Sequence, residues 1–257
     1  RVHPGEEVNV DVRQIEKQLS DATRAWTDEL HESLLTHFGE AHGQSLMHQY
    51  GSAFRADYRE NYPAVVAALD AKRMESLCDG GEHLAMHLYR PLEASKRVLH
   101  FKLFHLATQV PLSDALPMLE NMGFKVEYEH PSKVKRADGS RVWLHDFGLS
   151  YGAQGAHDGE VDLDLMRAPF EEAFAKVFFA ELENDGFNRL VLAAGLDWRA
   201  IVVLRAYAKY LRQLGFTFSQ AYMEDTLAAH PTIARQLTTL FQVRFDPGFD
   251  SDLDDGN

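Results

Sequence analysis

His83 and His87, in Glu82-His83-Leu84-Ala85-Met86-His87, have the most metal-like spacing in this sequence. On a helix, positions i and i+4 share a face and could hold zinc, whose bound water would then do hydrolysis. The segment lacks a Glu directly after the first His. It also alternates as a strand does, and on a strand i and i+4 lie about 13 Å apart. Solvated or packed histidines are the plainer reading, and no metal ligand is assigned. Cys78 could act as a thiol nucleophile, but nothing basic is spaced to lower its pKa. Tyr151-Gly152-Ala153-Gln154-Gly155 has glycines without the dinucleotide-loop spacing, and no phosphate-binding lysine follows. Asp114 with Glu120, and Glu171 with Glu172, offer paired carboxylates. The second pair points about 100° apart on a helix, and both read as solvated faces. No catalytic or cofactor-binding residue is assigned.

Arg189, Arg199, Arg205, Lys209 and Arg212 form a basic cluster in an acidic chain. Arg205 and Lys209 are one helical turn apart, and Arg212 follows on nearly the same side. Two readings stay open: pairing with Glu183, Asp185 or Asp197 inside a helical subdomain, or docking of another domain or subunit.

These residues must be held by elements legible in the pattern. A long helix is expected over about Val12 to Phe38, where Ile15, Leu19, Ala22, Trp26, Leu30 and Leu34 make one stripe and Gly39 ends it. Shorter helices follow, broken near Gly51 and Pro63, the segment Ala64 to Leu77 carrying Val65, Ala68, Leu69 and Leu77 on one side. Asp79-Gly80-Gly81 reads as a joint. Beyond it the period becomes alternating. Strands are expected at His83–Tyr89 and Arg97–Leu106, then a helix capped by Ser113 or Asp114 and stopped by Gly123. Lys125–Arg136 and Arg141–Ser150 should pair through a type I′ turn at Asp138-Gly139, with one wet face on the first strand. A Gly-rich loop, Gly152 to Gly159, leads to a helix from about Ala168 to Leu182. Asp197 and Ser219 cap two further helices, and Pro231 opens a last one with Ile233, Leu237, Leu240 and Phe241.

The middle order is strand, strand, helix, strand, strand, helix. Moving the final strand of a ferredoxin-like or ACT-type module to the front gives that order with the same spatial neighbours. The expected fold is therefore α+β: a four-stranded antiparallel ACT/ferredoxin-like sheet with two helices, flanked by helical segments. The boundaries read as a helical segment over 1–80, the ACT-like module over 81–183, a helical subdomain over 184–245, and a disordered acidic tail over 246–257.

Composition bounds the partners. Twenty-six Lys and Arg against 39 Asp and Glu leave a net charge of −13, which disfavours nucleic acid and anionic membranes. With 45% hydrophobic and 25% charged residues the chain reads as globular. A single cysteine allows no internal disulfide and suits a cytoplasmic location. No apolar run approaches the roughly 18 residues of a membrane span, and no signal peptide is visible. A start at Arg1 and an end inside an acidic run read as a piece of a longer polypeptide.

Several strings are less generic. Leu112-Ser113-Asp114-Ala115-Leu116-Pro117-Met118-Leu119-Glu120-Asn121-Met122-Gly123, Val142-Trp143-Leu144-His145-Asp146-Phe147 and Asp185-Gly186-Phe187-Asn188-Arg189-Leu190-Val191-Leu192 resemble passages of the large bacterial NAD-dependent glutamate dehydrogenases. So do Leu204 to Gln213, Leu240 to Pro247, Arg24-Ala25-Trp26 and Tyr50-Gly51-Ser52-Ala53-Phe54. The resemblance covers nearly the whole chain. It implies the last ACT-like module of a non-catalytic half, plus helices leading to catalysis. The family oxidises L-glutamate to 2-oxoglutarate and ammonium with NAD, as homo-oligomers. Its catalytic and dinucleotide-binding residues have no matching position here, so NAD belongs to the parent protein. The matched turn for an effector is Pro111, Leu112, Ser113 and Asp114. It lacks the glycine usual where ACT modules bind ligands, which favours a scaffold role. The alternatives are an autonomous amino-acid-binding regulator and, more weakly, a hydrolase using His83 and His87.

Overall fold

The computed structural model describes residues 12–79, 83–91, 98–151 and 162–245, with side chains from Arg24 onward. The expectations for the Gly80-Gly81 joint, the Gly152–Gly159 loop and the acidic tail lie outside these residues, as do the side chains of Ile15, Leu19 and Ala22. Two compact units divide the chain. The first takes the described residues of Arg1–Ala85, His105–Thr108 and Ser132–Trp143; the second those of Met86–Phe104, Gln109–Pro131 and Leu144–Asn257.

In the first unit, α1 (Val12–Phe38) stops at Gly39, whose φ of 78° suits a residue without Cβ. Three shorter helices follow: α2 (Glu40–Tyr50), α3 (Ala56–Asn61) and α4 (Ala64–Asp79). Leu30, Leu34, Leu46, Tyr50, Phe54 and Tyr58 are buried, and the Trp26 indole N–H donates to the Tyr62 carbonyl at 3.1 Å. On α4 the buried face differs from the expected one. Ala64, Ala67, Ala68, Ala71, Met74 and Leu77 point inward, whereas Val65 and Leu69 are exposed. Small residues at three- and four-residue steps let α4 approach its neighbours more closely than a Val/Leu stripe would. Buried Asp70 accepts a hydrogen bond from Tyr58 Oη at 2.7 Å.

The sheet has strands β1 (Leu84–Tyr89), β2 (Val98–Leu106), β3 (Phe124–Lys135) and β4 (Arg141–Tyr151). They are antiparallel, and their spatial order is β1-β2-β4-β3. With α5 (Leu112–Asn121) and α6 (Leu163–Phe178), this is the expected α+β, ACT-like arrangement in permuted order, flanked by helices. Period-two alternation sends Leu99, Phe101 and Leu103 to one face of β2 and His100 and Lys102 to the other. Phe170 and Phe174 of α6 pack edge-on against Phe101 at 5.2 and 4.9 Å, and Phe170 meets Phe124 at 5.3 Å. Burying each such ring is worth about 1.5–3 kcal/mol. The α6 helix also reaches β1: Glu171 accepts from the Leu88 N–H at 2.8 Å, and Arg167 Nε donates to the Leu88 carbonyl at 2.8 Å.

Three local expectations are corrected. Only Gly139 has positive φ (88°) in the β3–β4 loop, so the turn is not type I′. Gly139 N–H donates to the Arg136 carbonyl and Arg136 N–H to the Ser140 carbonyl, each at 3.0 Å. That is a type I turn closed by a left-handed glycine, and Asp138 braces it by accepting from Ser140 Oγ at 2.6 Å. Helix α5 starts at Leu112 after Pro111 with no side-chain cap; Ser113 Oγ donates instead to the Asp114 carboxylate. Helix α6 begins at Leu163, capped by Asp162, which accepts from Asp164 N–H at 3.0 Å. Pro169 therefore sits inside α6, and the carbonyl it leaves unbonded belongs to exposed Leu165, where water can reach it.

A 3₁₀ turn (Gly186–Arg189) leads to α7 (Leu190–Ala194), α8 (Trp198–Gln213), α9 (Gln220–Ala229) and α10 (Pro231–Phe245). Asp197 accepts from Ala200 N–H at 2.8 Å and Ser219 from Tyr222 N–H at 3.2 Å, as their positions foretold. On α10 the apolar series faces outward: Ile233, Leu237 and Leu240 are exposed, while Ala234 and Thr238 are buried. Among the described residues, no helix is long and apolar enough to cross a membrane.

Candidate functional site

The polar face of β2 carries a chain of hydrogen-bonded side chains in the second unit. Asp146, at the middle of β4, is fully buried and accepts from Tyr89 Oη at 2.8 Å. Its other oxygen lies 3.1 Å from His100 Nδ1. A carboxylate can only accept, so Nδ1 carries the hydrogen, and Nε2 of the neutral ring is free to accept. Tyr128 Oη lies 2.9 Å from that Nε2. Three strands thus supply a chain from Asp146 through His100, whose side chain is 14% exposed, to Tyr128, 45% exposed. Burial, and after it the Asp146 charge, push the Tyr128 phenol above its usual 10.0, so Oη keeps its proton at neutral pH. Buried Lys102 places Nζ 5.7 Å from the Tyr89 ring centre.

Gly148 makes the reach possible. Tyr128 stands on β3, and β4 separates it from His100 on β2. The phenol ring lies over Gly148, where an added Cβ would overlap the ring. Chemically, the set can accept a proton from an exposed hydroxyl and stabilise the resulting imidazolium with a buried carboxylate. Sequence reasoning missed it. The available signals were a polar pair, His145-Asp146, inside an apolar strand, and His100 with Lys102 on the alternate positions of β2. His145 itself is buried, with Nδ1 2.7 Å from the Glu129 carboxylate.

The basic cluster is partnered at four of its positions. Arg205, 4% exposed, donates from Nε and Nη2 to the two Asp185 oxygens at 2.8 and 2.9 Å and to Asn188 Oδ1 at 2.9 Å. Lys209 pairs with Glu183, Arg189 with Asp225 at 2.8 Å, and Arg199 with Glu172 at 3.7 Å. Arg212 is exposed in the last turn of α8. Asp185 binds Arg205 while also accepting from Phe187 N–H and Gln220, so it ties the 3₁₀ turn to α8 and α9. Of the expected acids, Glu183 and Asp185 take part, whereas Asp197 serves as the α8 cap.

Pro111, Leu112, Ser113 and Asp114 are placed at the start of α5; all four are exposed, and Ser113 Oγ bonds the Asp114 carboxylate. His87 lies on β1 with its ring stacked on Tyr89, and His83 precedes the strand. Among the described residues, no three His, Cys, Asp or Glu side chains converge as a metal would require. In the first unit, spacing hid a basic group near Cys78: Arg136 pairs with Asp79, the next residue in the chain, at 3.3 Å and lies over the Tyr50 ring. Burial raises the Tyr50 phenol well above its usual range.

Comparison with known proteins accounts for most of the chain. Residues 33–77 match the family model for glutamate dehydrogenase helical motif 2, residues 83–165 the glutamate dehydrogenase ACT3 domain, and residues 182–247 helical motif 3. The chain is 42% identical over 240 residues to the NAD-specific glutamate dehydrogenase of Halomonas elongata, covering 93% of this chain and 14% of that protein. It is 37% identical over 245 residues to that of Pseudomonas aeruginosa, covering 95% of this chain and 15% of that one. The Mycobacterium tuberculosis protein of the same name is 33% identical over 234 residues, 91% of this chain and 14% of its own. The chain therefore spans about a seventh of the length of the curated relatives it matches. Through its helical motif 2, ACT3 and helical motif 3 segments, taken in that order, the chain belongs to the glutamate dehydrogenase family.

Proposed function

We propose that these residues form a non-catalytic scaffold and regulatory segment of an NAD-specific glutamate dehydrogenase, whose hydride chemistry lies in other parts of the protein. The observation that carries this reading is the run of three matched segments within a chain that covers 14–15% of its relatives. On this reading the parent protein uses NAD to convert L-glutamate and water to 2-oxoglutarate and ammonium. It works in the cytoplasm as a homo-oligomer, and the segments divide near residues 80, 183 and 245, with an acidic tail beyond. The exposed apolar residues of the last helices support it. Tyr207, Tyr210, Leu214, Ile233, Leu237 and Leu240 are all exposed, a set of large apolar side chains on α8, just after it, and on α10. A larger protein would cover them with its remaining modules, and Arg212 is the cluster's best-placed docking cation. Incubating the isolated chain with L-glutamate and NAD should form no NADH by absorbance at 340 nm; steady turnover by the isolated chain would refute the proposal.

A further inference from the structure

The Asp146–His100–Tyr128 chain has the geometry of an activated nucleophile, and it lies outside anything the scaffold role requires. We propose that Tyr128 is an acyl-accepting nucleophile, with His100 as its general base, Asp146 and Gly148 as positioning residues, and activated acyl compounds as the substrate class. Each part is visible. The hydroxyl is at the exposed end, its hydrogen-bond partner is a ring nitrogen at 2.9 Å, and that ring is oriented from behind by a fully buried carboxylate. The three groups come from β3, β2 and β4, so sheet pairing fixes their spacing instead of loop conformation. Rigid placement of this kind is what general-base assistance needs, and its usual worth is about 10²–10⁴ in rate.

In the step itself, an oxygen lone pair of Tyr128 attacks the carbonyl carbon of the acyl donor as the phenolic proton passes to His100 Nε2. The tetrahedral intermediate collapses by breaking the bond to the leaving group, which departs with that electron pair and takes the proton back from His100. The products are an O-acyl tyrosine and the protonated leaving group; nothing is oxidised or reduced. Asp146 stabilises the transient imidazolium and holds the Nδ1–H tautomer.

The chain supplies its own controls, because Tyr210 and Tyr222 are 57% and 53% exposed, more open than Tyr128. The whole chain is treated with N-acetylimidazole, and acetylation at each tyrosine is followed over time by peptide mass spectrometry. Tyr128 should be acetylated at least about tenfold faster than Tyr210 and Tyr222 despite its lower exposure, a floor set beneath the roughly 10²–10⁴ that general bases provide. His100→Gln should bring Tyr128 down to the rate of the other two. Gly148→Ala, which displaces the phenol without altering any of the three groups, should do the same. The wild-type Tyr128 rate should level off below the pH at which exposed tyrosines ionise, whereas the H100Q rate should climb with phenol ionisation. Equal rates at Tyr128, Tyr210 and Tyr222 in the wild type would overturn the proposal without any variant having to fold. So would an undiminished Tyr128 rate in folded H100Q.

Discussion

Truncating Arg205 to Met tests how the helical end of the chain is held. Arg205 is 4% exposed and makes three charged or polar contacts inside 3 Å: two to Asp185 and one to Asn188. Charge-assisted bonds are worth about 1.5–3 kcal/mol each, but adding them overstates the net, because both ions lose hydration. Removing one member of such a pair costs about 3–5 kcal/mol, chiefly because the other is left behind without its counter-charge. Asp185 would retain Gln220 at 3.2 Å and the Phe187 N–H at 3.2 Å, which argues for the lower half of that range. Lys209→Ala is the control. Its pair with Glu183 is half exposed on both sides and should be worth about 0.2–1 kcal/mol. Urea unfolding followed through intrinsic tryptophan fluorescence in a background with Trp26 and Trp143 replaced by Phe, leaving Trp198 on the same helix α8, reads both variants. The double variant Arg205→Met/Asp185→Leu should recover part of the loss, since the stranded carboxylate is gone. If R205M costs no more than K209A, or if the double variant is as damaged as the sum of the singles, the buried-pair reasoning fails.

Three further outcomes are expected. Glu171→Ala leaves the Leu88 N–H without its acceptor, costing about 1–3 kcal/mol, and hydrogen exchange at that amide should speed while the β4 amides hold. Phe170→Ala empties the junction of Phe101, Phe124 and Phe174 and should cost about 3–5 kcal/mol by the same urea assay. The third concerns pH. Burial alone would raise the Glu75 pKa, but hydrogen bonds from Lys72 and His42 outweigh it and hold the carboxyl below its usual 4.5. A depressed carboxyl stabilises the fold above its unfolded pKa and loses that contribution as pH falls through its folded value. The stability gap between wild type and Glu75→Gln should therefore be full above about pH 5 and close below pH 4.5; a gap independent of pH would count against the pairing.

Most of the architecture was legible because it rests on local chemistry. Gly39, Gly123 and Gly215 end helices with φ of 78°, 91° and 84°, and the Asp197 and Ser219 caps act where they were read. The sheet order followed from recognising one strand moved to the front of a familiar plan. What escaped the reading depends on contacts distant in sequence. An amphipathic pattern on α10 says that a face is apolar, not that it is covered, and Ile233 and Leu240 are open. On α4, alanines that look neutral in sequence form the buried face, while larger Val65 and Leu69 do not. The Asp146–His100–Tyr128 chain joins three strands, and no spacing within one segment can announce it. The type I′ expectation failed because Asp-Gly serves two turn families, and only the φ of Asp138 separates them.

Leu88 has both its outward backbone groups taken by side chains of α6, and this decides how the sheet can meet other proteins. Among the described residues β1 and β3 are the two outermost strands. The first is stoppered by Arg167 and Glu171; the second carries Pro131 together with Lys125, Lys133 and Lys135, which resist strand addition. A polypeptide about seven times as long, as the relatives are, holds its own segments at millimolar local concentration while it emerges and folds. With both borders obstructed in this way, a newly made neighbour finds a poorer template to zip onto, which disfavours misjoined sheets.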